Sequence, residues 1–384
     1  MTKWLLPEHI ADILPAEARQ IEDLRRRLLD VYRAYGYELV FPPLLEYVDS
    51  LLTGTGRDLD LHTLKVVDQL SGRTLGLRAD ITPQVARIDA HLLNRDGVVR
   101  LCYAGSTVHA MPRGIASTRE PFQVGAELYG HAGPEADQEI AELAFASAAI
   151  AGLRDVRIDL SHVGVFGALL DRASVGQERY DEIVGLVLAK DVPALREYER
   201  LEPATRAALV SLCGLYGGVE VLAKTREVFA RFKAVLSAID ELEALVKVLP
   251  SAQVTIDLAE LHGIQYHSGI TFAVYCAGAP NAVIRGGRYD EVGRAFGRAR
   301  PATGFSVDLR DIASLMELPA PRPAIRAPWA DDAQLRSLIK QLREQGEVVV
   351  QDLPHHEDQR NEFACDRAIT KTADGWAVVQ PVSK

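Results

Sequence analysis

The sequence contains few cysteines and no long apolar segment. Its four cysteines are widely separated and include no Cys-x-x-Cys pair; they are Cys102, Cys213, Cys276 and Cys365. This spacing disfavours a zinc ribbon, a redox pair and a disulfide framework, and it favours a location in the reducing cytoplasm. No apolar run approaches the ~18 residues that a membrane-spanning helix requires. Proline and acidic residues follow the start too closely for a signal peptide, so we expect no membrane partner.

Basic residues are also fewer than acidic residues. The chain has 43 lysine and arginine residues against 53 aspartate and glutamate residues, a net charge of −10. This balance lacks the overall electrostatic signature of a nucleic-acid-binding protein, although it leaves room for a local basic patch. The length of 384 residues predicts two to three domains, and a hydrophobic content of 48% is sufficient for a sizeable core.

Recognisable motifs for metals and nucleotide cofactors are missing as well. The glycine pair in Gly286-Gly287-Arg288-Tyr289-Asp290 follows a predicted strand but matches neither the P-loop nor the dinucleotide-binding spacing. A tight turn is the alternative explanation of this pair. No serine lies in a G-x-S-x-G setting, which removes local support for nucleophilic hydrolysis. We expect no metal ion and no cofactor.

What the sequence does contain is a mixture of helical and strand patterns. Apolar residues at three- and four-residue steps predict a helix over 12–36, and two short runs around Ser71-Gly72 predict a hairpin over 64–68 and 74–78. Further strands are predicted over 98–109, 119–130, 155–160, 253–259, 270–276, 281–285 and 303–308. Hairpins dominate and the helices are grouped, so the expected fold class is α+β with a mainly antiparallel sheet.

The chain divides into four predicted parts. They are a core over 1–163 and 250–316, a helical insertion over 164–249, a proline-rich linker over 317–329 and a small C-terminal α/β domain over 330–384. The insertion is rich in helix formers and shows little β-branched alternation. Four prolines are expected to stiffen the linker.

Polar residues cluster around the central predicted strands. Asp80 and Thr82 lie where a strand ends, and Thr82-Pro83 predicts a helix start with Thr82 as the N-cap. Gln123 and Glu127 are four residues apart on a predicted strand, so they share a face. That face is either the polar outer side of the sheet or the wall of a pocket. In a pocket, Asp80 and Glu127 would attract an ammonium group while Thr82 and Gln123 orient a small zwitterion.

Several segments, in this order, resemble the core of a class II aminoacyl-tRNA synthetase, specifically that of histidyl-tRNA synthetase. Residues 35–46 resemble the dimerisation motif, and 77–87 resemble a conserved segment that follows it in the family. Residues 103–105 and 119–127 resemble the second motif, and 263–272 resemble the histidine-recognition segment. Residues 286–290 and 304–305 resemble the approach to the third motif. The resemblance covers about residues 10–316. It implies an antiparallel sheet flanked by helices, and self-association as a dimer through this core.

The resemblance also implies a histidine-binding site. Its residues would be Asp80, Thr82, Gln123, Glu127, Tyr266 and His267. In that arrangement Asp80 and Glu127 face the ammonium group of histidine, whereas Tyr266 and His267 frame its imidazole ring. No residue is expected to be catalytic, for the reason that follows.

Arginines that the synthetases use are absent from the matching positions. His109 stands where the family has the arginine that grips the ATP phosphate, and Met111 stands where an acid is expected. Asp311 occupies the position of the third-motif arginine, and His262 that of the arginine that opens the histidine-recognition segment. Because removing one such charged donor typically costs ~10²–10³ in rate, and histidine lacks the fixed fork of arginine, we expect the ligase activity to be lost.

A synthetase-like core without these arginines, followed by only about 55 residues after the proline-rich segment, resembles the family of ATP phosphoribosyltransferase regulatory subunits. That resemblance implies a non-catalytic subunit for the first step of histidine biosynthesis and its allosteric feedback regulation by L-histidine. The implied partner is the short-form catalytic subunit, in a hetero-oligomer, and tRNA is not expected to bind. The alternatives are an active histidyl-tRNA synthetase-like ligase and a stand-alone histidine-binding module, and histidine could instead bind at a subunit interface.

Overall fold

The structure is a computed structural model. It describes residues 4–53, 57–112, 114, 117–249, 253–318, 320, 323–356 and 363–380. The chain forms two compact units. The first comprises Met1–Asp12 and Ile21–Met316, and the second comprises Ile13–Gln20 and Glu317–Lys384. Among the described helices, none combines the length and the apolar character needed to cross a membrane.

The first unit is built on a large sheet. Nine described strands lie side by side in the order β1 (Glu38–Leu39), β5 (Val99–Ser106), β6 (Phe122–Tyr129), β12 (Ala302–Asp308), β11 (Ile284–Arg288), β10 (Ile270–Tyr275), β7 (Arg157–His162), β9 (Val254–Asp257) and β8 (Tyr216–Gly217). The pairs β1–β5 and β7–β9 are parallel, and the other neighbouring pairs are antiparallel. The expected α+β class with a mainly antiparallel sheet is therefore confirmed.

The two faces of this sheet differ in chemistry. Directly opposed residues on neighbouring strands share a face, so Ala126, Phe305 and Phe272 lie together on one side. On this apolar face the ring of Tyr32, from α1 (Pro15–Ala34), meets that of Phe305 edge-on at 5.9 Å. Helices α5 (Pro134–Ile150) and α12 (Lys233–Val246) contact strands of the same sheet. The opposite face holds the polar and glycine residues considered below.

The predicted first helix is confirmed, with one difference in its buried stripe. Ile21, Leu24 and Leu28 are buried, as the three- and four-residue spacing predicts. The three- and four-residue spacing would continue this stripe through Val31 to Tyr35, but Tyr35 is 41% exposed and the buried residue is Tyr32. Tyr32 falls four residues after Leu28, so it completes the same face of the helix.

A smaller sheet precedes the site. Its strands lie in the order β2 (Leu45–Tyr47), β4 (Thr74–Leu77) and β3 (Leu64–Val67), which confirms the predicted hairpin. Short helices α2 (Val48–Leu51) and α3 (Arg57–His62) lie between β2 and β3. After β4 the chain enters α4 (Thr82–Arg87), which continues as a π-helical turn over Ile88–Leu93.

The assignment of Thr82 as an N-cap is wrong. Ile81 occupies the N-cap position, and Thr82 is the first residue of α4. The Thr82 hydroxyl is turned toward two buried side chains of the sheet instead of toward the end of its own helix.

The segment from Val163 to Val246 is helical apart from β8. Its helices are α6 (Val163–Leu169), α7 (Arg172–Val175), α8 (Gln177–Leu188), α9 (Val192–Glu197), α10 (Pro203–Leu212), α11 (Glu220–Val228) and α12. The segment belongs to the first compact unit. The unit ends with a 3₁₀ turn over Val292–Phe296, strand β12 and α13 (Leu309–Leu315).

The second unit contains a four-stranded sheet and one long helix. The strands lie in the order β14 (Val349–Gln351), β13 (Pro323–Ala327), β15 (Ala364–Thr372) and β16 (Gly375–Val379), with α14 (Ala333–Glu344) packed against them. The linker prediction is wrong for 323–327, because Ile325 and Ala327 are buried in the core of this unit. Pro323 is the first residue of β13, a position where proline is tolerated.

Candidate functional site

The candidate site lies on the polar face of the large sheet, where the loop before α4 meets β6. The Asp80 carboxylate accepts hydrogen bonds from the backbone amide of Thr82 at 3.0 Å and from Nε2 of Gln123 at 2.8 Å. Oε1 of Gln123 in turn accepts from the backbone amide of Ile81 at 2.9 Å. These three bonds fix the position of Asp80 relative to the sheet.

A second group of polar side chains is buried next to this loop. The hydroxyls of Thr82 and Tyr103 are 3.0 Å apart, and each lies 3.1 Å from Oε1 of Glu127. Glu127 is only 1% exposed. Burial, and then the negative charge of Asp80, raise the pKa of Glu127 well above its ordinary value. Burial in this position therefore disfavours ionisation of the Glu127 carboxyl.

Some buried polar atoms of the site have no hydrogen-bond partner among the described residues. They are Oε2 of Glu127 and the hydroxyls of Tyr129, Tyr266 and Tyr289. Burial raises the pKa of Tyr266 well above its ordinary value, and negative charge on Glu127 or Asp80 acts in the same direction. An unsatisfied buried polar group costs ~1–3 kcal/mol, so this cluster is suited to a ligand with polar atoms of its own.

Aromatic rings form one wall of the site. The Tyr266 ring lies 5.0 Å from that of Tyr289 and 5.5 Å from that of His267. Nδ1 of His267 donates to the backbone carbonyl of Gly263 at 3.2 Å. A β-carbon on Gly287 would lie 2.8 Å from Cδ2 of His267, so this ring rests on β11. Burial lowers the pKa of His267 to about 4 although part of the ring remains exposed, and the ring is therefore neutral at pH 7.

Glycines create the space beside Glu127. Gly304 lies directly opposite Glu127 across the β6–β12 pair, and a β-carbon there would overlap Oε2 of Glu127. A β-carbon on Gly125 would overlap the Tyr103 hydroxyl and lie 2.6 Å from the backbone oxygen of Phe305. The sheet therefore accommodates the buried carboxyl and hydroxyl only because these two strand positions carry no side chain.

The structure joins four of the six predicted site residues by hydrogen bonds, namely Asp80, Thr82, Gln123 and Glu127. Tyr266 lies within electrostatic range of two of them. Among the described residues, His267 contacts the Tyr266 ring, the Gly263 carbonyl and β11, and it hydrogen-bonds to none of the four. Sequence reasoning missed Tyr103. Period-two alternation on β5 and β6 places Tyr103, Gly125 and Glu127 on one face, which is the signal that could have found it.

The position of the expected phosphate-binding arginine holds a buried histidine. His109 is 2% exposed, and its Nε2 lies 3.0 Å from the backbone carbonyl of Ala79, to which it donates. The imidazole therefore supports the loop that carries Asp80. Met111, two residues later, is 53% exposed. Two arginines follow His109 closely in the sequence, Arg113 and Arg119, and Arg113 lies outside the described residues.

The remaining arginines around the loop bind backbone oxygens. Nε of Arg119 donates to the carbonyl of His109 at 3.0 Å. Arg310 donates to the carbonyls of Glu120 and Ala11, each at 3.2 Å. Asp311 is exposed on α13. Both guanidinium groups therefore hold loops together through bonds that a phosphate group would have to displace.

His262 does not restore a cation for the pocket. Its ring is exposed and hydrogen-bonds to the carboxylate of Glu260, which also accepts from the backbone amide of His262 at 3.0 Å. The bond to Glu260 raises the pKa of His262, although burial opposes this. Any positive charge on this ring is thus compensated within its own loop.

Two family models match the chain one after the other. A model described as histidyl-tRNA synthetase matches residues 9–312, and a model described as ATP phosphoribosyltransferase subunit HisZ C-terminal domain matches residues 322–379. The first match covers the strands and loops of the site, and the second covers the described strands and helix of the small C-terminal sheet.

Relatives and solved structures match nearly the whole chain. The ATP phosphoribosyltransferase regulatory subunit of Ralstonia pickettii is 59% identical, covering 98% of each chain, and that of Janthinobacterium sp. is 56% identical, covering 98% of this chain and 99% of the relative. A crystal structure of an ATP phosphoribosyltransferase regulatory subunit/histidyl-tRNA synthetase from Bacillus halodurans has a TM-score of 0.81 at 27% identity, covering 91% of this chain and 93% of that chain. Histidyl-tRNA synthetase from Nostoc sp. PCC 7120, with a TM-score of 0.78 at 17% identity and coverage of 99% and 97%, has the same fold, which confirms the class II synthetase-like architecture. The chain belongs to the family of ATP phosphoribosyltransferase regulatory subunits, with a core like that of histidyl-tRNA synthetase.

Proposed function

We propose that this chain is the non-catalytic regulatory subunit of ATP phosphoribosyltransferase in histidine biosynthesis and that it binds histidine as its feedback signal. The observation that carries the proposal is a contrast within one site. Hydrogen bonds join the buried side chains of Thr82, Tyr103 and Glu127, whereas the positions that would hold ATP phosphates contain His109, Asp311 and a backbone-bound Arg310. Such a site can hold an amino acid without activating it.

Histidine fits the buried polar atoms that have no hydrogen-bond partner among the described residues. Asp80, fixed by Gln123, supplies a carboxylate beside the pocket for an ammonium group. Oε2 of Glu127 and the hydroxyl of Tyr266 are buried and need partners. An imidazole ring has one donor and one acceptor nitrogen, and it can stack on the wall of Tyr266 and His267. Binding would thus remove the desolvation penalty of these atoms.

Feedback control requires that histidine bind one arrangement of the complex better than another. A coupling free energy of ~1–3 kcal/mol is typical of allosteric proteins and changes affinity by 5–150-fold. By the same relation, the catalytic subunit must change the affinity of this chain for histidine by an equal factor. The pocket therefore acts as a sensor only in combination with a partner that has two states.

Self-association is the second part of the proposal. The segment around β1 and β2 exposes a run of large apolar side chains, which are Leu39, Phe41, Leu44, Leu45 and Tyr47. Contiguous apolar exposure of this kind marks an interaction surface. The same segment resembles the dimerisation motif of the synthetases, so we assign it to contact with a second copy of this chain.

The rival function is an active ligase for tRNA or protein. It would require a cationic clamp on the transferring phosphate, and the described arginines around the loop are bonded to backbone oxygens. We therefore propose that ligase activity and tRNA binding are lost. The cytoplasmic location indicated by the cysteines remains a prediction.

Reconstitution with the short-form catalytic subunit tests the proposed function. We expect the two proteins to co-elute in size-exclusion chromatography and the ATP phosphoribosyltransferase activity to become sensitive to histidine only when this chain is present. The measurement is the rate of product formation against histidine concentration, with and without the chain. Failure to associate, or equal histidine sensitivity of the catalytic subunit alone, would contradict the proposal.

A further inference from the structure

Arg285 projects from the same face of the sheet as the candidate site. It lies on β11 directly opposite Ser306 of β12, and Ser306 lies directly opposite Gly125 of β6. Opposed residues share a face, so Arg285 lies on the same face of the sheet as Gly125 and Glu127. Two strand spacings separate Arg285 from Gly125, roughly 10 Å. A long arginine side chain and a bound amino acid together span such a gap.

The guanidinium of Arg285 is exposed and makes no hydrogen bond or ion pair with any residue that the structure describes. The other described arginines near the site are engaged. Arg119 and Arg310 bind backbone oxygens, Arg78 is buried and donates to the carbonyls of Ser106 and Pro42, and Arg288 is buried against Asp137. Arg285 therefore differs from them in having its donors available on the polar face.

Two acidic residues near Arg285, Glu260 and Asp159, are held by other partners. Burial opposes ionisation of Glu260, but the bonds from the ring and the backbone amide of His262 lower its pKa, with a smaller contribution from the charge of Arg285. Glu260 is thus ionised and held by His262. Asp159, opposite Ala273 on the same face, pairs with Arg157 at 3.7 Å. Both carboxylates near Arg285 already have other partners.

We propose that Arg285 binds the carboxylate of the amino acid in the candidate pocket. This inference rests on the proposed histidine site. Arg285 supplies the anion-binding group that His262 does not supply, because the His262 ring is bonded to Glu260. A single guanidinium matches a carboxylate, which carries one negative charge and accepts two parallel hydrogen bonds. A triphosphate would require several cations, and the other arginines named above are occupied.

A comparison of histidine with histamine, which lacks only the carboxylate, tests this assignment. Calorimetric titration of the full chain with each compound is the measurement. We expect wild-type protein to bind histidine more tightly than histamine, and Arg285→Gln to weaken histidine binding about tenfold while histamine affinity stays within twofold. Arg285→Lys, which keeps the charge but not the fork, should retain part of the preference.

Arg196→Gln is the matched control, because Arg196 is an exposed arginine on α9, outside the large sheet. It should change neither affinity. Equal weakening of both ligands by Arg285→Gln, or unchanged histidine binding, would overturn the role of Arg285 while leaving the histidine site intact. Wild-type protein that binds neither compound would overturn the proposed histidine site and this inference together.

Discussion

We expect the Glu127→Gln protein to remain folded and to bind histidine roughly 100-fold more weakly than the wild type. Glutamine preserves the shape of the side chain and can still hydrogen-bond to Thr82 and Tyr103. It cannot ionise when a cationic group arrives, so the charge-assisted part of the interaction is lost. Calorimetric titration with histidine and histidine inhibition of the reconstituted complex both report this change.

The matched control for this substitution is Glu139→Gln. Glu139 on α5 is also a hydrogen-bonded carboxylate, with Arg100 at 2.7 Å and the Tyr37 hydroxyl at 2.9 Å. The partners of Glu127 in the site are Thr82 and Tyr103, so Glu139→Gln should leave histidine affinity unchanged. Histidine binding by Glu127→Gln within twofold of the wild type would remove Glu127 from the site.

The Gly304→Ala protein should lose histidine binding by at least about 100-fold and lose ~1–3 kcal/mol of unfolding free energy. The added methyl group would occupy the position of Oε2 of Glu127 and lie 2.7 Å from the carbonyl oxygen of Ala126. Either the carboxyl leaves its hydrogen bonds with Thr82 and Tyr103 or the β6–β12 pair separates. Urea unfolding and histidine titration of the same preparation measure the two effects.

Gly185→Ala provides the control for the substitution itself. Gly185 lies within α8, and a β-carbon there would meet no atom within 4 Å. Because alanine favours helix, this protein should be unchanged or more stable by up to ~1 kcal/mol, with normal histidine binding. A folded Gly304→Ala protein with wild-type histidine affinity would show that the space beside Glu127 is not the binding site.

Elements with strong local patterns were predictable from the sequence. The periodic apolar residues of α1 gave its location, and Ser71-Gly72 between two short runs gave the β3–β4 hairpin. The prolines of 317–329 predict a linker, but proline content alone does not show that Ile325 and Ala327 are buried in a sheet. Tertiary burial decided that strand, and a single-sequence pattern contains little information about it.

The candidate site was predictable where residues are close in sequence and not where strands bring them together. Asp80, Thr82, Gln123 and Glu127 follow from the strand–helix junction and the spacing on β6. Tyr103 and Gly304 matter through cross-strand register, since one bonds Glu127 and the other lies opposite it. Threonine is common at helix caps, so the sequence predicts that role for Thr82, whereas in the structure its hydroxyl hydrogen-bonds to Tyr103 and Glu127.

Exchange of labelled pyrophosphate into ATP by the purified full chain shows whether an amino acid bound beside Glu127 is activated. Because the phosphate clamp is missing, we expect no histidyl adenylate to form. We therefore expect no histidine-dependent exchange above the background without protein, under conditions in which an active histidyl-tRNA synthetase gives a strong signal. Exchange that requires histidine and disappears in Glu127→Gln would contradict this expectation and identify the chain as a ligase.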